Sequence, residues 1–281
     1  MKTLVFIFLC VSFLASGQSY KLMSYNIRYA TAADGVNDWE NRKEKVYNLI
    51  QRYDPDIIGV QEALHQQLND LMTNLPDYSY VGVGREDGKK AGEFSAILYK
   101  KEKFKNLEDD TFWLSTTPDV PGSKSWDAAL TRVASWIKVR DTKNNQVFFV
   151  INTHFDHVGA EARKQSAVLI KDQITKLTGD SPAVVMGDFN CLREDSPYQV
   201  MINKEGRQLY DPAPENAPGT FCSFGVNSIP CRAIDYIFHT AEWSKENYEV
   251  IQDNDGKYYP SDHLPVMVEL KLKSKNKRKN K

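Results

Sequence analysis

Six short polar motifs sit at the ends of apolar runs in this chain. They are Ser24-Tyr25-Asn26, Val60-Gln61-Glu62, Asn152-Thr153-His154, Gly187-Asp188-Phe189-Asn190, Ile234-Asp235-Tyr236 and Ser261-Asp262-His263. Carboxylates, amides and imidazoles at the ends of buried strands are costly to desolvate without a purpose. A converging site for a hard metal ion and a phosphate gives them one.

Asp188 and Asn190 are two residues apart, so an extended segment turns both to one side. A carboxylate beside an amide can hold and orient a water; an Asx turn accounts for one of the two residues more easily than for both. Asp262 and His263 put an oxygen ligand and an imidazole at one place. Asp235 needs a partner if buried, and an imidazole would supply one while fixing its tautomer. His154, Asp156 and His157 form a second acid–imidazole group. Glu62 reads equally as a surface residue and as an oxygen ligand for Mg²⁺ or Ca²⁺. Asn26 alone reads better as a turn residue. Arg132, among apolar neighbours, must find a substrate phosphate or an internal salt bridge.

These side chains need elements to hold them. Lys21 to Ile27 alternates as a strand. Helical spacing follows at Val46, Leu49, Ile50 and Tyr53, with Asp38 as a candidate N-cap and a stop at Asp54-Pro55. Asp56 to Val60 is a short buried strand, and Leu64 to Leu75 a second helix. Tyr78–Val83 and Phe94–Tyr99 read as strands around a polar turn over 85–90. Residues 111–127 read as a loop carrying Trp113 and Trp126, each open to packing or to substrate contact. Thr131–Val139 and Val147–Asn152 read as paired strands, Ala167 to Leu177 as a third helix, and Ala183–Met186, Ala233–Phe238 and Leu264–Leu272 as further strands. Residues 203–230 read as irregular. Helices alternate with strands, but hairpins intervene, so mixed sheets covered by helices are expected.

With 281 residues, 41% hydrophobic and 26% charged, the composition is ordinary globular. No linker or repeat appears, so one domain is expected over 18–272. Residues 1–17 read as a signal peptide: Lys2, an apolar run from Leu4 to Leu14, then Ala15-Ser16-Gly17. That run is short for a bilayer span, and no other long one exists, so a secreted or periplasmic monomer is expected. Export permits disulfides, and Cys222 and Cys231 flank a loop that would suit one; Cys191 reads as a small buried side chain. The last eleven residues hold seven basic ones, and 273–281 reads as a flexible basic tail. Without those seven and Lys2 the chain has 28 basic against 37 acidic residues, a net of −9. That body does not favour long nucleic acid as partner.

Taken in order, Asn26, Glu62, His154, Asp188-x-Asn190, Asp235 and Ser261-Asp262-His263 resemble the endonuclease/exonuclease/phosphatase superfamily, the deoxyribonuclease I-like fold, from about Leu22 to Leu270. Asn152 to Gln165 is similar to the branch holding deadenylase-type and exported bacterial phosphodiesterases. The resemblance implies an α/β (α+β) four-layer sandwich, two mixed β-sheets flanked by helices. It implies Mg²⁺, with Mn²⁺ or Ca²⁺ as substitutes, bound by Glu62 with Asn26 and Asp262. Asp188 would activate water, Asn190 would orient it, and His263 held by Asp235 would stabilise charge on the phosphate. His154 would contact the phosphate or assist the leaving group, and Arg132, Asp156 and His157 would bind substrate. The expected function is an exported metal-dependent phosphodiesterase or phosphatase. A secreted nuclease, a sphingomyelinase-like lipid phosphodiesterase and a non-catalytic binding module are the alternatives.

Overall fold

Six strands form one sheet in the order β10-β11-β1-β2-β4-β3, and five form a second in the order β5-β6-β7-β8-β9. The first holds β1 (Ser19–Asn26), β2 (Ile57–Ala63), β3 (Tyr78–Val81), β4 (Phe94–Lys100), β10 (Trp243–Val250) and β11 (Val266–Leu272). The second holds β5 (Phe104–Trp113), β6 (Val133–Asp141), β7 (Val147–His154), β8 (Ala183–Asp188) and β9 (Asp235–His239). This computed structural model describes residues 18–30 and 33–273. The expected signal peptide, and the expected tail beyond Lys273, lie outside the described residues.

Only β1–β2 and β7–β8 pair in parallel; the other neighbours are antiparallel. Both sheets are therefore mixed, as expected. Alternation along the strands separates three cores. Leu22, Ile57, Ile97, Val150, Val184 and Val266 meet between the sheets. Met23, Tyr25, Ile58 and Val60 face outward onto α1 (Trp39–Tyr53) and α2 (His65–Asn74). Ile151, Val185 and Phe238 face α3 (Ala160–Thr178) and α4 (Ser196–Ile202). The result is a helix–sheet–sheet–helix sandwich. Among the described residues, no helix is long and apolar enough to cross a membrane.

Several readings of the sequence need correction. β5 and β10 read as no element, yet each pairs along a sheet edge. Their outward residues are polar or charged, as edge strands favour, and a bulge breaks the alternation in each: in β5 between Asn106 and Glu108, in β10 between Lys245 and Asn247. Thr111 to Trp113 consequently belong to β5 rather than to a loop. α4, one short helix, carries no periodic signal, and the strand read from Ala233 begins instead at Asp235, which opens β9. Asp38 does precede α1, but its side chain makes no capping hydrogen bond. Residues 203–230 are irregular apart from isolated bridges at Tyr210, Phe221 and Gly225, and a disulfide joins Cys222 to Cys231 just beyond them. Cys191 is buried, and burial pushes its thiol up to about 12.

Candidate functional site

Strand register assembles the first wall of the site. His154 pairs with Asp188 across β7–β8, and Asp188 pairs with Asp235 across β8–β9. Three chemical side chains thus lie in one row at the end of the five-stranded sheet. Gly187 permits the approach: a Cβ there would sit 2.1 Å from the Thr153 carbonyl oxygen. Asp188 then divides its two oxygens. Oδ1 accepts the Asn190 backbone N–H at 2.9 Å, closing a turn in which Asn190 is left-handed at φ 47°, a conformation Asn tolerates. The Asx turn and the paired side chains are therefore one arrangement.

The six-stranded sheet supplies the opposite wall. β2 changes register between Val60 and Ala63, and Glu62 takes φ 61°. Such a bulge re-aims a side chain, and here the Glu62 carboxylate meets the Asn26 amide at 3.1 Å and the Tyr29 N–H at 3.1 Å. Ser261 donates to the Asn26 carbonyl at 2.7 Å, which brings Asp262 and His263 beside β1. Buried Arg42 braces the same corner, donating to the carbonyls of Ile27 and Arg28, both at 2.6 Å. Between the sheets, Asn152 donates to the Val60 and Ala96 carbonyls and accepts from Gln61. Asn152 and Gln61 thus join the two walls rather than lining the site.

The walls enclose a cleft of about 530 Å³. Glu62, Arg132, His154, His157, Asp188, Asn190, Asp262 and His263 line it; Asn26 and Asp235 stand directly behind. His263 Nδ1 lies 2.9 Å from Asp235 Oδ2, which also accepts from Thr220 at 2.6 Å. Burial opposes charge on His263, but Asp235, Asp188 and Asp262 outweigh it and raise its pKa well above the usual imidazole range. These carboxylates favour the protonated form of His263. Burial, then the charge of Asp235, pushes the Asp188 carboxyl well above the ordinary range, against the pull of His263.

His154 behaves oppositely. Burial, with Arg132 and Arg85 beside it, holds its pKa well below the usual value. Arg132 reaches His154 Nδ1 and His157 Nδ1, both at 3.0 Å. A guanidinium only donates, so both Nδ1 atoms accept from Arg132, and the Asn190 amide nitrogen stands 3.1 Å from His154 Nε2. His154 Nε2 faces Asp188 Oδ2 at 3.5 Å.

Asp156 is brought to the same corner but does not face the cleft. Its oxygens accept the N–H groups of Ala129, Leu130, Val158 and Gly159, and lie near Arg132 at 3.6 Å. Burial raises its pKa, yet these hydrogen bonds hold it down at about 2. Because the folded-state pKa lies below the unfolded one, the stability this carboxylate gives is complete above pH ~4 and lost as pH falls toward 2. Asp156→Ala is expected to lower the unfolding free energy by about 3 kcal/mol or more, since it strands four donors and a buried guanidinium. Urea denaturation checks this; a loss under about 1 kcal/mol would show that other groups tie these loops.

Several cleft residues carry no motif. Arg28 lies 3.9 Å from Glu62 and 4.0 Å from Asp262. Arg85, read as part of a solvent turn, is buried with Glu93 at 2.7 Å. Phe221 and Arg232 flank the disulfide loop. Arg28 alone had a hint, two residues beyond Asn26.

Asp188, Asp235 and His263 present ligand atoms within 4.8 Å of one another and could hold a metal ion. The Asp235–His263 hydrogen bond occupies that group's imidazole and one carboxylate. Glu62 and Asp262 offer carboxylate oxygens better matched to a hard cation, while Asn26 turns its amide nitrogen to Glu62 and Asp188 and its oxygen to the Arg28 N–H. Burial raises the Asp262 carboxyl, and the neighbouring Glu62 charge raises it further. Two acids facing each other at this cost fit a site that a cation completes.

Comparison with known proteins agrees with this geometry. A Bacteroides thetaiotaomicron family protein is 38% identical, with TM-score 0.87, over 92% of this chain and 99% of its own. The mannosyl-6-phosphatase of Bacteroides thetaiotaomicron VPI-5482 is 37% identical, with TM-score 0.84, over 89% and 99%. An uncharacterised protein of Acanthamoeba polyphaga mimivirus is 31% identical over 266 residues, 88% of this chain and 98% of its own. The chain spans about half the length of the CCR4-Not exoribonuclease subunits it also matches. The profile of the Endonuclease/Exonuclease/phosphatase family matches residues 23–263. The chain belongs to that family of phosphoester hydrolases.

Proposed function

We propose that this protein is an exported, divalent-metal-dependent phosphomonoesterase acting on a sugar phosphate. The observation that carries the reading is the environment of one atom. Asp188 Oδ2 lies 3.0 Å from the Asn26 amide, 3.5 Å from His154 Nε2 and 3.8 Å from His263 Nε2. A buried carboxylate with a raised pKa, ringed by donors, is built to accept a proton from water. His263, kept charged by Asp235, donates to a phosphoryl oxygen as negative charge grows there, and His154 stands beside Asp188 on the same wall. Asn190 positions the water. Arg85, Arg132 and Arg232 also line the cleft and supply positive charge for the phosphate. A Mg²⁺ ion held by Glu62, Asp262 and Asn26 would supply neutralisation of phosphoryl charge.

The 37% identical relative described as a mannosyl-6-phosphatase supports a sugar phosphate as substrate. The signal-like start of the sequence and the Cys222–Cys231 bridge support export. The test is a phosphoester panel in Mg²⁺, Mn²⁺, Ca²⁺ or chelator. Mannose 6-phosphate and similar monoesters should turn over with Mg²⁺, stop with EDTA and recover on adding metal. A polynucleotide as best substrate, with rates collapsing as salt rises, or turnover indifferent to EDTA, would overturn the proposal.

A further inference from the structure

The two tryptophans of residues 111–127 have opposite fates. Trp113 is buried, its indole N–H donating to the Arg85 carbonyl at 2.6 Å. Trp126 is 38% exposed and held at φ 56°, which for a bulky side chain is an outlier that the surroundings must enforce. The surroundings do so. The next residue, Asp127, accepts the N–H groups of Ala162 at 2.6 Å and Glu161 at 3.2 Å, fastening the loop to the start of α3. Gly159 lies flush beneath it, where a Cβ would come within 2.6 Å of the Asp127 carbonyl oxygen. Asp156 binds the neighbouring backbone of Leu130 and Val158 through one carboxylate. Leu130 is 40% exposed and Val158 61%. Three exposed apolar side chains therefore stand on two laced segments, and Leu130 and His157 of those segments line the catalytic cleft.

We propose that Trp126, with Leu130 and Val158, is a subsite for the carbohydrate beyond the phosphate, the indole stacking on the apolar face of a sugar ring. The inference rests on the phosphomonoesterase reading and extends it: the preferred substrate is a phosphate borne on a larger glycan. A sugar ring fits better than a lipid surface. The exposed apolar groups are one indole and two aliphatic side chains, with Lys124 and Asp127 near Trp126 in sequence, and the body of the chain is net acidic, which repels anionic membranes. Leu130 lines the catalytic cleft, and exposed apolar groups on the segments that border such a cleft are candidates for ligand contact.

Two readouts test it. In kinetics, Trp126→Ala should lower kcat/KM on a mannose-6-phosphate-capped oligosaccharide by about 3- to 10-fold, chiefly through KM. Glycerol 2-phosphate, too short to reach the rim, should change by less than about 2-fold, and Trp126→Phe should restore most of the loss. In binding, an unphosphorylated mannose disaccharide should perturb the Trp126 indole N–H resonance, a measurement independent of turnover. Unchanged oligosaccharide kinetics, or equal losses on both substrates with no indole perturbation, would overturn the subsite. So would perturbation by phosphatidylcholine vesicles in place of the sugar. If no phosphomonoester is turned over but the disaccharide still perturbs Trp126, the subsite stands and the catalytic reading falls.

Discussion

Asp188→Ala is expected to lower kcat on phosphomonoesters by about 10³- to 10⁴-fold with KM little changed, the loss of a general base acting in the transition state. The fold should not suffer. The folded protein holds this carboxyl above its ordinary pKa by burial and by Asp235, so its ionisation costs stability as pH rises above the unfolded value near 4. Asp188→Asn should therefore raise Tm in metal-free buffer at pH 8, and the gain should vanish below about pH 4, where both states are protonated. Thermal melts across pH, beside kinetics, check both halves. Wild-type turnover in the alanine variant would remove Asp188 from the reaction. A lower Tm for Asp188→Asn at pH 8 would show that its charge is compensated rather than strained.

The second large effect concerns Asp235 and His263, which act as one device. Either Asp235→Asn or His263→Gln should cost about 10²- to 10³-fold in kcat, the scale of one preorganised donor. The double variant should be barely worse than either single one. The pH profile separates this pair from mere structure. Asp235 leads the charges that keep His263 protonated. Asparagine there lets the ring lose its proton at lower pH, so the alkaline limb of kcat should move to lower pH. Additive losses, or an unmoved limb, would refute the pairing.

Much of this site was legible because chemistry sat at strand ends, and apolar runs mark strand ends well. Glu62, Asp188, Asp262 and His263 each follow or adjoin such a run, and the sandwich brings them together. What the sequence hid was hidden for physical reasons. β5 and β10 lie on edges, where solvent allows charge and bulges break alternation. Arg28, Arg85 and Glu93 converge from turns, where one arginine looks like any other. Trp113 and Trp126 stood as equals until backbone contacts buried one and exposed the other. Asp156 carried the type of a ligand-binding residue, but its hydrogen bonds are spent on backbone.

The Cys222–Cys231 bridge closes the segment that supports the reacting groups. Thr220 donates to Asp235, the Leu264 N–H donates to the Thr220 carbonyl, and the Cys222 N–H donates to the Asp262 carbonyl. The sulfur link is thus one residue removed from Phe221, whose ring centroid lies 5.0 Å from that of His263. A thiol-rich medium that opened it would free the strap behind the imidazolium while leaving the three cores untouched. The molecule could then keep its shape and lose its chemistry, which makes catalytic competence answerable to the oxidation state of its surroundings.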